Sequence, residues 1–296
     1  MSQHWTDRFA QFVREKTAAA TAATIPGYVT AESHGADLEL GIIGNSWTFE
    51  RFDGPFYESP PADLTVPAVN VVFVQSADGN TGSDNPTSLG GGATDKHLIY
   101  EGLSGAHADA LLTAPGTVGG SQTVMAVWHP ELVRLRASLG LPRYPAQVVA
   151  TRRGQVAIDA ELLYNVPEVP VFILTTDEGE HGLRDAVGAR PWITVISTGL
   201  VSDLKAGLQR LHADHGIRRV SCTGGRHVTT TLIDAGVVRD IYLTTSPLRG
   251  GEPDTPFYLG PKPLPTTLVV RKTGRDDERG VVFEHLALQP RTSTTM

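Results

Sequence analysis

Three predicted strands of this chain end in short runs of glycine and small polar residues. The runs are Ser76-Ala77-Asp78-Gly79, Pro115-Gly116-Thr117-Val118-Gly119-Gly120 and Gly224-Gly225-Arg226. In an open α/β sheet, ligands bind at the carboxyl ends of the strands, where small residues let the backbone approach a phosphate group. Three such runs favour a dinucleotide or phosphate ligand, although a tight turn alone also explains each glycine pair.

The run at Gly224-Gly225 has the strongest physical basis of the three. It precedes a predicted helix, and glycines at a helix start expose free backbone N–H groups at the positive end of the helix dipole, which suits a pyrophosphate. Residues 224–229 read GGRHVT, which is not the G-x-G-x-x-G pattern. A Rossmann dehydrogenase is therefore not supported.

The elements that must position these runs alternate along the chain. Strands are predicted at 69–74, 108–114, 146–151, 169–176, 192–197, 218–223 and 240–247, and helices at 95–105, 129–138, 202–215 and 227–234. Apolar strands alternating with helices predict an α/β fold with a mostly parallel sheet covered on both faces. The segment around Gly274 to Gly280 predicts a terminal antiparallel hairpin, whose charged tip at 276–279 is expected to face solvent.

The first 65 residues form a separate part of the prediction. Trp5, Phe9, Phe12 and Val13 lie on one stripe of an amphipathic helix. The stripe is expected to dock on the main body or on a second subunit, with a free partner-binding helix as the alternative. The predicted organisation is an N-terminal extension at 1–65 (this helix and an irregular segment), a main domain at 66–288 and a disordered tail at 289–296.

Composition limits the possible functions. The chain is 40% hydrophobic and 19% charged, as in an ordinary globular protein, and its net charge of −7 gives no overall basic field for nucleic acid or an anionic membrane.

One cysteine, Cys222, cannot build a disulfide framework or a multi-thiolate metal site within a chain, and it is expected to be buried. His212 and His215 lack a pattern of further ligands, so no metal is expected. The charged N-terminus has no signal-peptide pattern, and the expected location is cytoplasmic.

Four short motifs in a fixed order resemble a known family. They are Ser76-Ala77-Asp78-Gly79, Ala114-Pro115-Gly116-Thr117-Val118, Thr223-Gly224-Gly225 and Pro247-Leu248-Arg249-Gly250-Gly251, each following a predicted strand. This order resembles the reductase domain of riboflavin biosynthesis over about residues 66 to 288. The resemblance implies the dihydrofolate-reductase-like fold, a three-layer α/β/α arrangement with a mostly parallel mixed sheet and a C-terminal antiparallel hairpin. It also implies a homodimer.

The same resemblance implies NADPH as the cofactor. In the family, the Gly-Thr-Val loop and the Gly-Gly helix start hold the cofactor. These roles fall here on Gly116, Thr117 and Val118 and on Gly224 and Gly225, with Arg226 beside them. Thr151, Arg152 and Arg153 follow a central strand and are placed to meet the adenosine 2′-phosphate, since arginine has the forked donors that a phosphate prefers. A solvated turn is the alternative for that trio.

The sequence departs from the family pattern on the substrate side. Thr223 stands where the third motif of the family usually begins with Glu. Pyrimidine reductases of the family have a lysine on the first strand, near the position of Val72 here, and the nearest polar residue on that face of the strand is Asn70. The loop after Gly-Thr-Val lacks the usual Asp-Asp-Pro segment and its arginines. The family's deaminase motif, His-x-Glu followed by Pro-Cys-x-x-Cys, does not occur.

Candidate catalytic and substrate residues follow from this placement. Asp78 is the first candidate as proton donor or water-positioner, with Ser76 as a polar contact on the same loop; a turn-forming Asp-Gly is the alternative. Asn70, Trp128 and His129 are candidate substrate contacts, although Trp128 could be a core residue and His129 a helix cap.

The expected activity is hydride transfer from NADPH to a C=N or C=O group of a small molecule. Reduction of the ribosyl group of an aminopyrimidine is the first-named activity. The alternatives are reduction of a pterin or specialised-pathway substrate, and a non-catalytic nucleotide-binding protein of the same fold.

Overall fold

A computed structural model describes residues 3–83, 86–119, 123–188, 190–261 and 263–289. Its strands are β1 (Tyr28–Ser33), β2 (Gly41–Ile43), β3 (Phe56–Glu58), β4 (Ala68–Gln75), β5 (Ala110–Thr113), β6 (Ala146–Ala150), β7 (Val171–Thr175), β8 (Ile193–Ser197), β9 (Arg219–Cys222), β10 (Val238–Thr245), β11 (Thr266–Gly274) and β12 (Val282–Leu288). Its helices are α1 (Gln3–Ala22), α2 (Ser46–Phe52), α3 (Gly92–Thr94), α4 (Pro115–Val118), α5 (Pro130–Ser138), α6 (Asp177–Val187), α7 (Leu204–His215) and α8 (Arg226–Asp234), and α3 continues into a π-helix, Asp95–Gly105.

Ten strands form one sheet in the order β1-β11-β12-β10-β4-β9-β5-β6-β7-β8. All neighbours from β10 to β8 are parallel, whereas β12 pairs antiparallel with both β10 and β11. The predicted mostly parallel sheet with a C-terminal antiparallel hairpin is therefore confirmed. Because parallel strands point the same way, the segments after β4, β5, β6, β9 and β10 leave one common edge of the sheet.

Helices cover both faces of the sheet. On one face, Leu208 of α7 and Leu232 of α8 pack in a core with Leu112 and Val148. On the other face, Leu98 and Leu103 of the π-helix pack against sheet residues Val72, Tyr242 and Phe283. Burial on both faces explains why the parallel strands are continuous apolar runs rather than alternating ones.

The sequence-based prediction did not include α6. This helix contains Gly179 and Gly182, and glycine is a poor helix former. Gly179 is required by packing, since a Cβ atom there would lie 1.9 Å from Thr175 Oγ1. The Thr176 hydroxyl accepts the N–H of Gly179 and thereby caps the helix start.

The N-terminal residues lie on the main body. Phe9 of α1 is buried with Val124, Leu162 and Val166, so the docked arrangement of the amphipathic helix is confirmed within the chain. Residues 28–33, in the segment expected to be irregular, form β1 and pair with β11. The strand was not predicted because β1 lies at the edge of the sheet and pairs with β11, which is too distant in sequence to be inferred from local pattern. The boundary near residue 66 stays a prediction, and residues 290–296 of the predicted tail lie outside the described residues.

Candidate active site

Two glycine-rich segments meet at the common edge of the sheet. A Cβ atom at Gly225 would lie 2.7 Å from Ala114 Cβ, and one at Gly224 would lie 3.7 Å from Thr117 Oγ1. Gly225 also has a φ of 86°, a conformation that favours glycine. The end of β9 and the short helix α4 after β5 are therefore in direct contact, and the residue between them has to be glycine.

The start of α8 fits an anionic group. Gly225 is its N-cap residue and makes no side-chain hydrogen bond to the helix. The first N–H groups of the helix, beginning with Arg226, therefore lie at the positive end of the dipole without a capping side chain. Arg226 adds a guanidinium at this position.

Ser76 and Asp78 connect the end of β4 to the turn after β10. Ser76 Oγ donates a hydrogen bond of 2.8 Å to the Gly250 carbonyl. The Asp78 carboxylate accepts hydrogen bonds of 3.1 Å from Arg249 Nη1 and 3.1 Å from the Gly250 N–H. Both candidate catalytic side chains thus hold the 247–251 turn against the carboxyl edge of the sheet, next to the two glycine segments.

Thr151, Arg152 and Arg153 follow β6 at the same edge. The Arg152 carbonyl accepts a 2.9 Å hydrogen bond from Thr176 Oγ1, while the side chains of Arg152 and Arg153 are exposed. A cavity of about 280 Å³, lined by residues that include Gly116, Val118, Val156 and Tyr164, lies between this loop and α4. The lining of this cavity comes from α4 and from residues that follow the arginines in sequence, including Gln155 and Val156.

Asn70 and Trp128, two of the predicted substrate residues, are buried in the body of the fold. Asn70 is buried in the first half of β4, where its Oδ1 accepts a 3.0 Å hydrogen bond from Ser104 Oγ. Trp128 is buried, with its ring edge-on to Phe12 of α1 at 5.4 Å and Arg143 over it at 5.3 Å. Asn70 therefore supports the π-helix and Trp128 packs beneath α1.

His129 is the N-cap residue of α5. Its Nδ1 accepts the Glu131 N–H at 3.4 Å, and its ring stacks on Trp47 at 4.4 Å. Burial and the nearby His97 lower the pKa of His129. The contact of the His129 ring with the Glu131 N–H matches the helix-cap alternative of the sequence analysis.

The π-helix brings two further polar residues to the carboxyl edge. Thr244 Oγ1 of β10 donates a hydrogen bond to Asp95. Burial raises the pKa of Asp95 to about 6, the Thr244 hydroxyl opposes this, and the Glu278 carboxylate raises it further. Burial likewise raises the pKa of Tyr100 to about 12, partly offset by the nearby Thr223 hydroxyl at the end of β9. Sequence reasoning missed both residues, because an ordinary α-helix over 95–105 would place them on different faces.

The predicted exposure of the hairpin tip is wrong for Glu278. Its Oε1 accepts the N–H of Ala93 at 2.8 Å and that of Thr94 at 3.3 Å, where the π-helix segment begins. Asp276, Asp277 and Arg279 are exposed as expected. Local sequence pattern could not reveal this contact, because it joins positions 185 apart.

Cys222 is fully buried, as predicted. Among the described residues there is no cluster of three or more histidine, cysteine and carboxylate side chains suited to a metal ion. The same part of the chain contains no helix that is both long and apolar enough to cross a membrane.

Comparison with protein families identifies the group to which these features belong. The model of the RibD C-terminal domain matches residues 67–282. The chain belongs to this family. The RibD C-terminal domain is the reductase domain of riboflavin biosynthesis, a family of oxidoreductases that in general use pyridine nucleotides. No curated protein matches the chain.

Solved structures agree with this fold. A pyrimidine reductase-like protein from Corynebacterium diphtheriae has a TM-score of 0.57 at 17% identity, with 75% of this chain and 92% of that chain covered. RibD of Acinetobacter baumannii has a TM-score of 0.55 at 16% identity, covering 76% of this chain and 59% of that chain. The riboflavin biosynthesis reductase Rib7 of Saccharomyces cerevisiae has a TM-score of 0.53 at 18% identity, with 77% of this chain and 92% of that chain covered. At these identities the likeness establishes the dihydrofolate-reductase-like fold of the RibD reductase domains.

Proposed function

We propose that this RibD-family chain is an NADPH-dependent reductase that transfers hydride to a C=N or C=O group of a small molecule. The observation that carries the proposal is the contact of Gly224 and Gly225 with Ala114 and Thr117, beside the uncapped start of α8. A side chain at Gly225 would clash with Ala114, so glycine keeps the two segments close together while the first N–H groups of α8 remain available to a phosphate group.

The cofactor residues are those of the two glycine segments and of the loop after β6. Gly116, Thr117 and Val118, with Gly224, Gly225 and Arg226, would bind the pyrophosphate and orient the nicotinamide. Thr151, Arg152 and Arg153 would bind the 2′-phosphate, and the cavity beside Gly116 would accept part of the adenosine. NADPH supplies the hydride, whereas the protein positions the two reacting carbons.

A proton must also reach the reduced group. Asp78 is the candidate donor or water-positioner within this proposal, and Ser76 holds its loop through Gly250. The ion pair with Arg249 at 3.1 Å keeps the carboxylate at the edge of the sheet.

The first-named substrate is the ribosyl group of an aminopyrimidine, as in 5-amino-6-(5-phosphoribosylamino)uracil reduction. The alternative is a pterin or another specialised substrate, and Thr223 favours it. Thr223 stands where the resembled family has Glu, and its hydroxyl donates to Met125 Sδ at 3.1 Å rather than presenting a charge. The proposal also includes a cytoplasmic homodimer, and light scattering of the purified protein would test its dimeric state.

Titration with NADPH and NADH, followed by quenching of tryptophan fluorescence, tests the cofactor assignment. We expect micromolar binding with a preference for NADPH. Changing Arg152→Ala together with Arg153→Ala should narrow that preference, because it removes the donors to the 2′-phosphate.

Arg218→Ala is the matched control, since Arg218 is also exposed but precedes β9 at the opposite edge of the sheet. An unchanged preference in the double variant would move the 2′-phosphate site elsewhere. Absence of binding by either nucleotide would instead favour the non-catalytic protein.

A further inference from the structure

The segment that follows the 247–251 turn lies against the loop after β4. The Glu252 N–H donates a 2.8 Å hydrogen bond to the Gly82 carbonyl, and the Glu252 carbonyl accepts the Thr255 hydroxyl at 2.5 Å. The backbone of Glu252 is therefore held in place independently of its side chain.

The Glu252 carboxylate reaches the start of α8. A Cβ atom at Gly82 would lie 2.8 Å from Glu252 Oε2, so glycine at position 82 leaves the room that this carboxylate occupies. The same oxygen lies 4.0 Å from Arg226 Nη2. Because Arg226 is the first residue of α8, the loop after β10 places a negative charge beside the positive end of the helix dipole.

Two anions can therefore use the same guanidinium. In the proposed function, Arg226 and the first N–H groups of α8 bind the pyrophosphate, whereas in the structure Arg226 pairs with Glu252. A phosphate binds arginine through two parallel N–H donors, which is a stronger arrangement than a 4.0 Å contact to a carboxylate that is 67% exposed. A phosphate can thus displace Glu252, but the ion pair opposes its binding.

We infer that Glu252 limits the affinity of this protein for its dinucleotide, because its carboxylate competes with the pyrophosphate for Arg226. The inference rests on the proposed reductase function, since it names a residue that sets the affinity of the same cofactor site. NADP⁺ and NADPH share the pyrophosphate, so the competition lowers the affinity for both by the same factor. A lower affinity acts mainly through faster dissociation, and Glu252 thereby speeds release of the oxidised cofactor.

Glu252→Gln tests the inference, since glutamine keeps the shape of the side chain and removes its charge. We expect the affinities for NADPH and NADP⁺ to rise together by about two- to fivefold, the effect of losing an exposed ion pair. Inorganic pyrophosphate, the third probe, should bind more tightly by a similar factor. Fluorescence titration measures the two nucleotides, and isothermal titration measures pyrophosphate. Glu252→Ala, which also removes the charge, should give the same gains.

Asp254→Asn is the matched control, because Asp254 is an exposed carboxylate two positions further along the same loop. Its φ of 58° is a conformation that asparagine also adopts, and the change should leave the three affinities close to those of wild-type protein. Arg226→Gln should weaken binding of all three probes. Adding Glu252→Gln to that variant should give no further gain, because the competition requires the guanidinium.

Three outcomes overturn the inference: unchanged or lower affinities in folded Glu252→Gln protein, an equal gain in Asp254→Asn, or the same gain when Arg226 is already replaced. A gain for NADPH without one for NADP⁺ would also contradict it, since the two nucleotides differ only at the nicotinamide. Failure of wild-type protein to bind either nucleotide would sink the reductase proposal instead, and the pyrophosphate titration still tests the competition at Arg226.

Discussion

Gly225 shows how a single position can be fixed by backbone conformation and by packing together. Its φ of 86° disfavours any side chain, and Ala114 occupies the space where a Cβ atom would lie. The same residue opens α8, so the requirement for glycine coincides with the positive end of that helix dipole.

Gly225→Asp should abolish NADPH binding, because its Cβ atom would push against Ala114 and its carboxylate would put a negative charge at the start of α8, where the phosphates would bind. Gly236→Asp is the matched control, since Gly236 also has a positive φ, of 71°, but nothing lies within 4 Å of its Cβ position. Fluorescence titration of both variants, after circular dichroism has shown that they fold, measures the effect. Wild-type affinity in folded Gly225→Asp protein would refute this phosphate placement.

At the residue scale, the site residues that could be predicted from the sequence are those that residue type alone makes recognisable. The glycine pair at 224–225 and the Gly116-Thr117-Val118 run are visible without any structure, and the structure brings them into contact. Asp95 and Tyr100 were missed because their common orientation depends on π-helical hydrogen bonding, which no residue type specifies. Trp128 was proposed as a substrate contact or a core residue, and its buried ring lies against Phe12 of α1.

At the scale of elements, the π-helix segment is held at its start by the last strand pair. Glu278, at the turn between β11 and β12, supplies the acceptor that the N–H groups of Ala93 and Thr94 need. The N-cap residue Gly91 has no side chain that could accept these N–H groups. Glu278 therefore caps the helix from another element of the fold. The position of Asp95 therefore depends on the terminal hairpin.

Glu278→Ala should destabilise the protein by about 1 to 2 kcal/mol, because two backbone donors lose their acceptor. Glu278→Gln keeps an acceptor oxygen at the same place and should retain most of that stability. Urea unfolding, with the midpoint and slope compared among the three proteins, measures the difference. Equal losses in both variants would show that the charge of Glu278, and not its hydrogen bonds, stabilises the segment.

The elements themselves differ in how well they could be predicted. Strands β4 to β10 are apolar runs separated by clear breakers, and each was expected within a few residues of its observed place. Helix α6 was hidden by Gly179 and Gly182, since glycine is a poor helix former, and close packing against Thr175 of β7 explains only Gly179. Strand β1 carries no local signal strong enough to distinguish it from a loop.

At the scale of the whole molecule, the segment before the family match is part of the same packed structure. Helix α1 buries Phe9 against the body, and α2 and β1 contribute Phe52 and Tyr28 to the core beneath the π-helix. The match to the RibD C-terminal domain begins at residue 67, so Phe9, Tyr28 and Phe52 join its core from outside the matched region.

Phe9→Ala should destabilise the whole chain by about 3 to 5 kcal/mol, as expected for a large side chain removed from a core. Gln11→Ala, at an exposed position on the same helix, should have little effect. Thermal unfolding followed by circular dichroism compares the two. An unchanged transition in Phe9→Ala would support the free partner-binding helix that the sequence also allowed.

The pairing of β1 with β11 bears on how the polypeptide is made. Thr30 and Lys272, joined by a hydrogen bond across these strands, are 242 positions apart, so β1 leaves the ribosome long before its sheet neighbour β11 exists. Closing so large a loop is slow, and contacts of this range lower folding rates. Until synthesis reaches β11, the nascent chain exposes an unpaired strand, and its N-terminal region is the part most in need of protection from aggregation.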